Sequence, residues 1–368
     1  MSELIEEIFR ITIRPITPVF VWSGEELIRG ADFEIKDDKL LVIDINKALP
    51  KVKSLSEAFR VEFVRKVFNI PLTFDKIDGV SVKEWVSKNG SSYCPKRIYM
   101  INKSLVPASS IKGLIRTAFL SELASSHGDV FETVKSNLEF LKNKLNNRRR
   151  GDRQISKILK RIGSPIEALL EREVEALTEN DSKKDQSVHI YDAFSRLLID
   201  EPTASQDVQL GLHSISVEKV TGKLKTKIFA ITFDDGELTY NVKIVKPLKY
   251  GVHEELKELD TMVKKEKIRK ALETFSSKVV EYEKKKINIK EEDKRNNTSG
   301  LERLKEYSQF LDGLKVEGNC FPLKVGMFTG HHAKTVNVPS DIEQLRKEVL
   351  SKVYRNWDSS TVKLVEWN

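Results

Sequence analysis

The chain alternates cleanly near its start, with Phe9, Ile11 and Ile13 on one side of an extended segment and Arg10, Thr12 and Arg14 on the other. That period of two predicts a half-buried strand. Pro15 ends it, a second apolar run spans Val19 to Trp22, and Ser23-Gly24 predicts a turn. Ala31 to Ile35 and Leu40 to Ile45 flank Asp37-Asp38 and predict a short hairpin. Helical spacing follows at about Leu55 to Val67 and from Ser110 to about Ser125. Phe131 to Leu177 also reads as helical, and its middle gathers Arg148, Arg149, Arg150, Arg153, Lys157, Lys160 and Arg161, which predicts a mostly exposed basic insertion. Val188, Ile190 and Ala193 then predict a strand ending in a turn, and Ser214 to Val220 another strand. Lys227 to Phe233 and Leu238 to Ile244 predict a hairpin through Asp234-Asp235-Gly236. Glu254 to Glu283 and Leu301 to Leu314 read as helices, and the mixed-charge stretch 284–300 between them as a mobile linker. Strands interspersed with helices imply an α+β class, with a boundary between residues 177 and 187 and an antiparallel sheet in each half.

Composition narrows the partner. The 368 residues are 39% hydrophobic, enough for sizeable cores, and carry 63 Lys and Arg against 55 Asp and Glu, a net +8 with a pI near 9.1. An excess of positive charge favours an anionic partner, nucleic acid ahead of an acidic membrane surface. There is no run of about 18 apolar residues. The opening Met1-Ser-Glu-Leu-Ile-Glu-Glu is acidic, unlike a secretory signal, so a cytoplasmic location is expected and no membrane partner. Cys94 and Cys320 each lack a nearby second thiol, which argues against a disulfide framework or a zinc knuckle.

Pro107 to Thr117 holds the most chemistry. Ser109 or Ser110 can cap a helix that starts here, and Ile111, Leu114, Ile115, Ala118 and Phe119 form its apolar stripe. Lys112 and Arg116, four apart, lie together on another face, so the serines, the two cations and Gly113 at a helix start form a candidate site for an RNA phosphate. An ordinary capped helix with two solvated cations is the competing reading.

Leu323 to Thr335 is the second candidate, with Gly326 and Gly330 allowing close backbone approach and His331, His332, Lys334 and Thr335 following. A nucleotide-binding P-loop places lysine directly after its second glycine, which this segment does not. Adjacent His331 and His332 point apart in a regular element, so no shared metal is expected. His127, His189, His213 and His253 are isolated, and Asp32, Asp192, Asp234 and Asp235 show no two-metal spacing. No catalytic constellation, metal or cofactor is predicted.

Three segments together resemble the RAMP (repeat-associated mysterious protein) subunits of type III CRISPR effector complexes. Ile16-Thr-Pro-Val-Phe-Val-Trp-Ser-Gly-Glu-Glu-Leu27 is similar to the opening pattern "LTPVHIGSGEEL", and Ala31-Asp32-Phe33 to the "DY" element after it. Pro107 to Thr117 is similar to "IPGSSLKGALRTA", with Ala108 for the glycine. Leu323 to Thr335 resembles "LRLGxGxGxxSKT", with Ala333 for the serine and Met327-Phe328-Thr329 lengthening the gap between glycines. Val188 to Asp192 resembles the "VxxSD" strand, with Tyr191 for the serine. Order and spacing are most similar to the fifth subunit group of the type III-A (Csm) complex, which caps the 3′ end of the guide.

The resemblance implies two ferredoxin-like (RRM-like) RAMP domains: residues 1–180 with a helical insertion at about 131–177, and 181–368 with an insertion at about 253–314 and the glycine-rich loop 323–335. It implies a non-catalytic, guide-RNA-binding subunit that contributes to guide maturation and target RNA binding. Its implied partners are guide (CRISPR) RNA, target RNA, other RAMP subunits, especially the repeated backbone subunit, and host nucleases. RNA contact is expected through Ser23, Gly24, Ser109, Ser110, Lys112, Gly113, Arg116, Gly326, Gly330, His331, His332, Lys334 and Thr335, and on charge alone through Arg148, Arg149 and Arg150. A RAMP endoribonuclease using His331 or His332, or a capping RAMP of another type III subtype, is the alternative.

Overall fold

A computed structural model describes residues 4–90, 94–146, 164–175, 188–219, 224–246, 259, 261–291, 298–314, 318–327, 345 and 363–367. Strands β1 (Ile5–Ile13) and β2 (Trp22–Ile28) lead into the hairpin β3 (Phe33–Lys36) and β4 (Lys39–Val42). Helix α1 (Val82–Asn89), strand β5 (Arg97–Ile101) and helices α2 (Ala108–Ser126) and α3 (Gly128–Asn146) follow. Next come β6 (Glu171–Glu175), β7 (Val188–Asp192), β8 (Leu197–Ile199), β9 (Gln209–Lys219), β10 (Leu224–Asp235) and β11 (Leu238–Val245). Helices α4 (Lys265–Glu291) and α5 (Thr298–Gly313) and strand β12 (Lys363–Trp367) follow, and shorter strands and helical turns lie between these elements. The class is α+β with helical insertions, as expected.

Two sheets share the main core. One has the order β12-β9-β10-β5-β2; its pairs are antiparallel except β10 with β5, which is parallel at Tyr99 opposite Ala230. The other places β11 between β1 and β8, with Thr203–Ala204 also on β11, all antiparallel. Each sheet therefore draws strands from both sides of residues 177–187, rather than one sheet from each half. On β11 the buried residues alternate, Leu238, Tyr240, Val242 and Ile244, because one face meets the core. Central β10 instead buries Ala230, Ile231, Thr232 and Phe233 in succession, so both its faces are covered.

That difference explains one departure from the sequence reading. Lys227–Phe233 and Leu238–Ile244 do not pair as a hairpin. Both edges of β10 are already taken, by β9 on one side and by β5 and Val19 on the other. The chain turns at Gly236 (φ +102), whose absent side chain would stand 2.6 Å from Val208 Cα, and enters the other sheet.

Leu55–Val67 differs too. Only Leu55–Ala58 is α-helical, because Arg65 N–H bonds to Val42 carbonyl (2.9 Å) and Lys66–Val67 pairs with Ile70–Pro71, a tertiary pairing that overrides helical propensity. Residues 171–175, read as helix, form β6 against β7 for the same reason. Residues 284–291 of the expected linker instead continue α4 to Glu291, where exposed Lys285 pairs with Glu281 (2.7 Å), and residues 292–297 lie outside the described residues.

Helix α2 packs its stripe of Ile111, Ile115, Ala118 and Phe119 into the core, with Phe119 edge-on to Phe194 at 5.4 Å. Just before it, the buried Tyr240 hydroxyl donates to the Val106 carbonyl at 2.6 Å, and burial raises the phenol pKa well above its ordinary value. Tyr240→Phe leaves a buried acceptor without its donor, so stability should fall by about 1–3 kcal/mol. An unchanged urea midpoint would show that this bond contributes nothing net.

Candidate nucleic-acid interface

The first and third motifs meet through the main chain. Val19 exchanges hydrogen bonds with Phe233 (2.9 Å each way), Phe20 carbonyl accepts from Met327 N–H (2.7 Å), and Val21 carbonyl accepts from Asn102 N–H (2.7 Å). Three successive residues thus tie the first motif to β10, to the glycine segment and to the connection that enters α2. The second motif begins five residues beyond Asn102, at Pro107. Gly326 (φ +98) is required at its place: a Cβ there would lie 2.5 Å from Phe20 carbonyl oxygen.

Strand β2 pairs Ile28, Leu27 and Glu26 with Arg97, Ile98 and Tyr99, then resumes at Trp22 opposite Ile101. Ser23, Gly24 and Glu25 face Met100 alone, so the expected turn at Ser23-Gly24 is a bulge within the strand. Ser23 hydroxyl donates to Met100 carbonyl and accepts from Glu25 N–H, both at 3.1 Å. Gly24 (φ +89) has no heavy atom within 4 Å of its would-be Cβ, so main chain lies uncovered there. Arg65 grips Glu25 through both carboxylate oxygens (2.6 and 2.8 Å), which lowers the Glu25 pKa. That arginine lay outside every motif and was not anticipated.

Helix α2 departs from the expected serine cap. It begins at Ala108 after Pro107 with no side-chain cap, because Ser109 and Ser110 fall inside the first turn. The Ala108 amide instead faces Glu201 carboxylate at 3.4 Å, so a carboxylate of the chain itself meets this helix start. Arg116 is also committed. It bonds both oxygens of Asp192 (2.8 and 2.9 Å) and Glu171 (2.7 Å), over the Phe194 ring, and so fastens β6 and β7 to the helix. The expected solvent-facing cation pair is therefore a single cation. Lys112 makes no ion pair within 4 Å among the described residues; burial lowers its pKa, Asp192 opposes this and Arg116 adds to it. A phosphate beside it would favour the charged form and oppose that lowering. Beside Lys112, Ser109 and Gly113 are exposed, and Gly113 has open space where a side chain would stand.

Of the glycine-rich loop, Lys324 bonds Glu283 (2.6 and 2.7 Å) and Tyr307 hydroxyl (2.6 Å), which braces the segment against α4 and α5. Gly330, His331, His332, Lys334 and Thr335, and the basic Arg148, Arg149 and Arg150, lie outside the described residues. His213 is held between Asp234 (2.8 Å) and Asp78 (3.9 Å), and His127 Nδ1 lies 2.9 Å from Leu123 carbonyl. Among the described residues no cluster of three His, Cys, Asp or Glu is arranged to hold a metal ion, and no helix is long and apolar enough to cross a membrane.

A fold of shared sheets and a paired set of glycine motifs defines the class. The chain belongs to the RAMP superfamily, whose family model matches residues 12–329. Among solved structures, its fold is similar to a chain of the cryo-EM structure of a Csm–crRNA–target RNA ternary complex of a type III-A CRISPR-Cas system, at 14% identity over 96% of each chain with a TM-score of 0.52. A crystal structure of T. onnurineus Csm5 aligns at 16% identity over 94% of this chain and 95% of that one, with a TM-score of 0.44. No curated relative matches the sequence.

Two pairs of substitutions separate architecture from surface. Gly326→Ala should destabilise by about 2 kcal/mol or more, through backbone clash and positive φ, whereas Gly113→Ala should stabilise by about 0.5–1 kcal/mol. Arg116→Ala, which strands two half-buried carboxylates, should cost about 1–3 kcal/mol, while Lys112→Ala should stay within about 0.5 kcal/mol of the parent. Chemical denaturation reads all four; equal losses for Lys112 and Arg116 would contradict the assignment of separate roles.

Proposed function

We propose that this RAMP protein is a non-catalytic guide-RNA-binding subunit of a type III-A (Csm) interference complex, which caps the 3′ end of the guide and contributes to its maturation and to target RNA binding. The observation that carries this reading is the junction at residues 19–21, where the glycine-bearing motifs of the superfamily are bonded to one another and to the lead into α2. Fold similarity to a chain of a Csm–crRNA–target RNA complex and the net +8 charge support it. Uncovered main chain at Gly24, exposed Ser109 and Gly113, and Lys112, which makes no ion pair among the described residues, suit a backbone recognised without regard to sequence. The neighbouring RAMP subunits of such a complex are its protein partners.

The non-catalytic part of the proposal rests on the resemblance; of the described histidines with placed side chains, His213 contacts Asp234 and His127 lies at its helix end. A metal-free assay on repeat RNA tests it. Cleavage that disappears in His331→Ala or His332→Ala would move the assignment to a processing endoribonuclease.

Binding is tested with Lys112→Ala in the full chain. Loss of one phosphate contact should weaken guide binding and reduce the salt slope by about 0.7 on a single strand. Unchanged affinity and slope would remove Lys112 from the interface. Pull-down of the tagged chain from its native cells should bring guide RNA and other RAMP subunits, and deleting the chain should leave longer, 3′-extended guides.

A further inference from the structure

Where the resembling opening pattern has its first glycine, before Ser23-Gly24, this chain has Trp22. The side chain is 43% exposed at the end of β2, yet it is not loose. Its ring N–H donates to Glu25 carbonyl (3.2 Å), and the ring meets Tyr99 edge-on at 5.7 Å and 64°. Both anchors belong to the paired strands β2 and β5, and part of the indole is left to solvent beside the bulge.

The surroundings indicate what would cover it. Glu25 is neutralised by Arg65 and Glu26 by Arg97 (3.2 Å), and Lys103 adds positive potential at Glu25. Glu25 and Glu26, three and four residues from Trp22, are thus each paired with an arginine as a polyanion approaches. Gly24, two residues on, exposes bare main chain that a phosphate can approach closely. A fixed aromatic plane next to such a position suits a nucleotide of single-stranded RNA, whose unstacked base offers a π face.

We propose that Trp22 is a stacking platform for one unpaired base of the bound RNA, with the adjoining phosphate passing over the Gly24 bulge. The inference rests on the RNA-binding reading above and adds a base subsite to it. Tyr99 buttresses the indole from one edge. Every base has a π face, so the subsite is tolerant of sequence.

Trp22→Ala and Trp22→Phe in the full chain are titrated with a single-stranded oligoribonucleotide, and with a set of the same strand carrying one abasic residue at each position in turn. Trp22→Ala should weaken binding about tenfold, and Trp22→Phe by less. The salt slope should not change, because no phosphate contact is removed. One abasic position should weaken the parent protein and leave Trp22→Ala unaffected. Parent-like affinity of Trp22→Ala, or a loss that no abasic position reproduces, overturns the stacking role. If Lys112→Ala weakens binding and Trp22→Ala does not, only the base subsite is overturned. If the parent protein binds no RNA, the RNA-binding reading fails and the subsite with it. Thermal unfolding guards against misfolding, and the aromatic Trp22→Phe variant keeps the comparison informative should the alanine variant be unstable.

Discussion

Three consecutive peptide units, at Val19, Phe20 and Val21, hold the molecule's distant parts in register. Each bonds a different segment: the end of β10, Met327 beyond Gly326, and Asn102 before α2. Phe20 is only 1% exposed, so its bond to Met327 has little water to fall back on, while Val19 and Val21 are half-buried. The contact with Gly326 tolerates no side chain, and the bulge at Ser23–Glu25 follows within two residues. Motifs that look like separate signatures in the sequence are, in the fold, facets of one joint.

A second joint couples helix α2 to β6 and β7. Asp192 accepts two bonds from Arg116 and also one from Phe194 N–H (2.8 Å), so one carboxylate orients the arginine and starts the turn after β7. This gives a physical reason for an arginine in the α2 pattern and an aspartate in the later strand pattern to occur in one chain. Removing Arg116 leaves Asp192 and Glu171 half-buried without that counter-charge, whereas removing Asp192 leaves Arg116 still paired with Glu171.

Local features were legible in the sequence because they are written in a few neighbouring residues. The alternation of Phe9, Ile11 and Ile13, the hairpin at Asp37-Asp38 (φ +51 and +59) and the stripe of α2 all stand where periodicity and turn chemistry put them. Partnerships across long separations were not legible. Nothing local announces that Leu238–Ile244 will pair with β1 rather than with its neighbour, that Glu201 will meet the start of α2, or that Arg116 will be claimed by residues 171 and 192. Charge spacing located the cations of the candidate site, but only the fold distinguishes a brace from an open contact, as with Arg116 and Lys112.

The pairing of β1 with β11 also constrains the order in which the protein is made. Thr12 and Thr239 stand opposite one another, yet 227 residues separate them. At about 5–20 residues per second, a ribosome needs roughly 10–45 s to deliver the second strand after the first. During that interval the apolar side of β1, Phe9, Ile11 and Ile13, has no partner strand, and the sheet that shelters it cannot close. The first strand translated is thus among the last to be paired, and the nascent chain carries an open edge suited to a chaperone until its second half emerges.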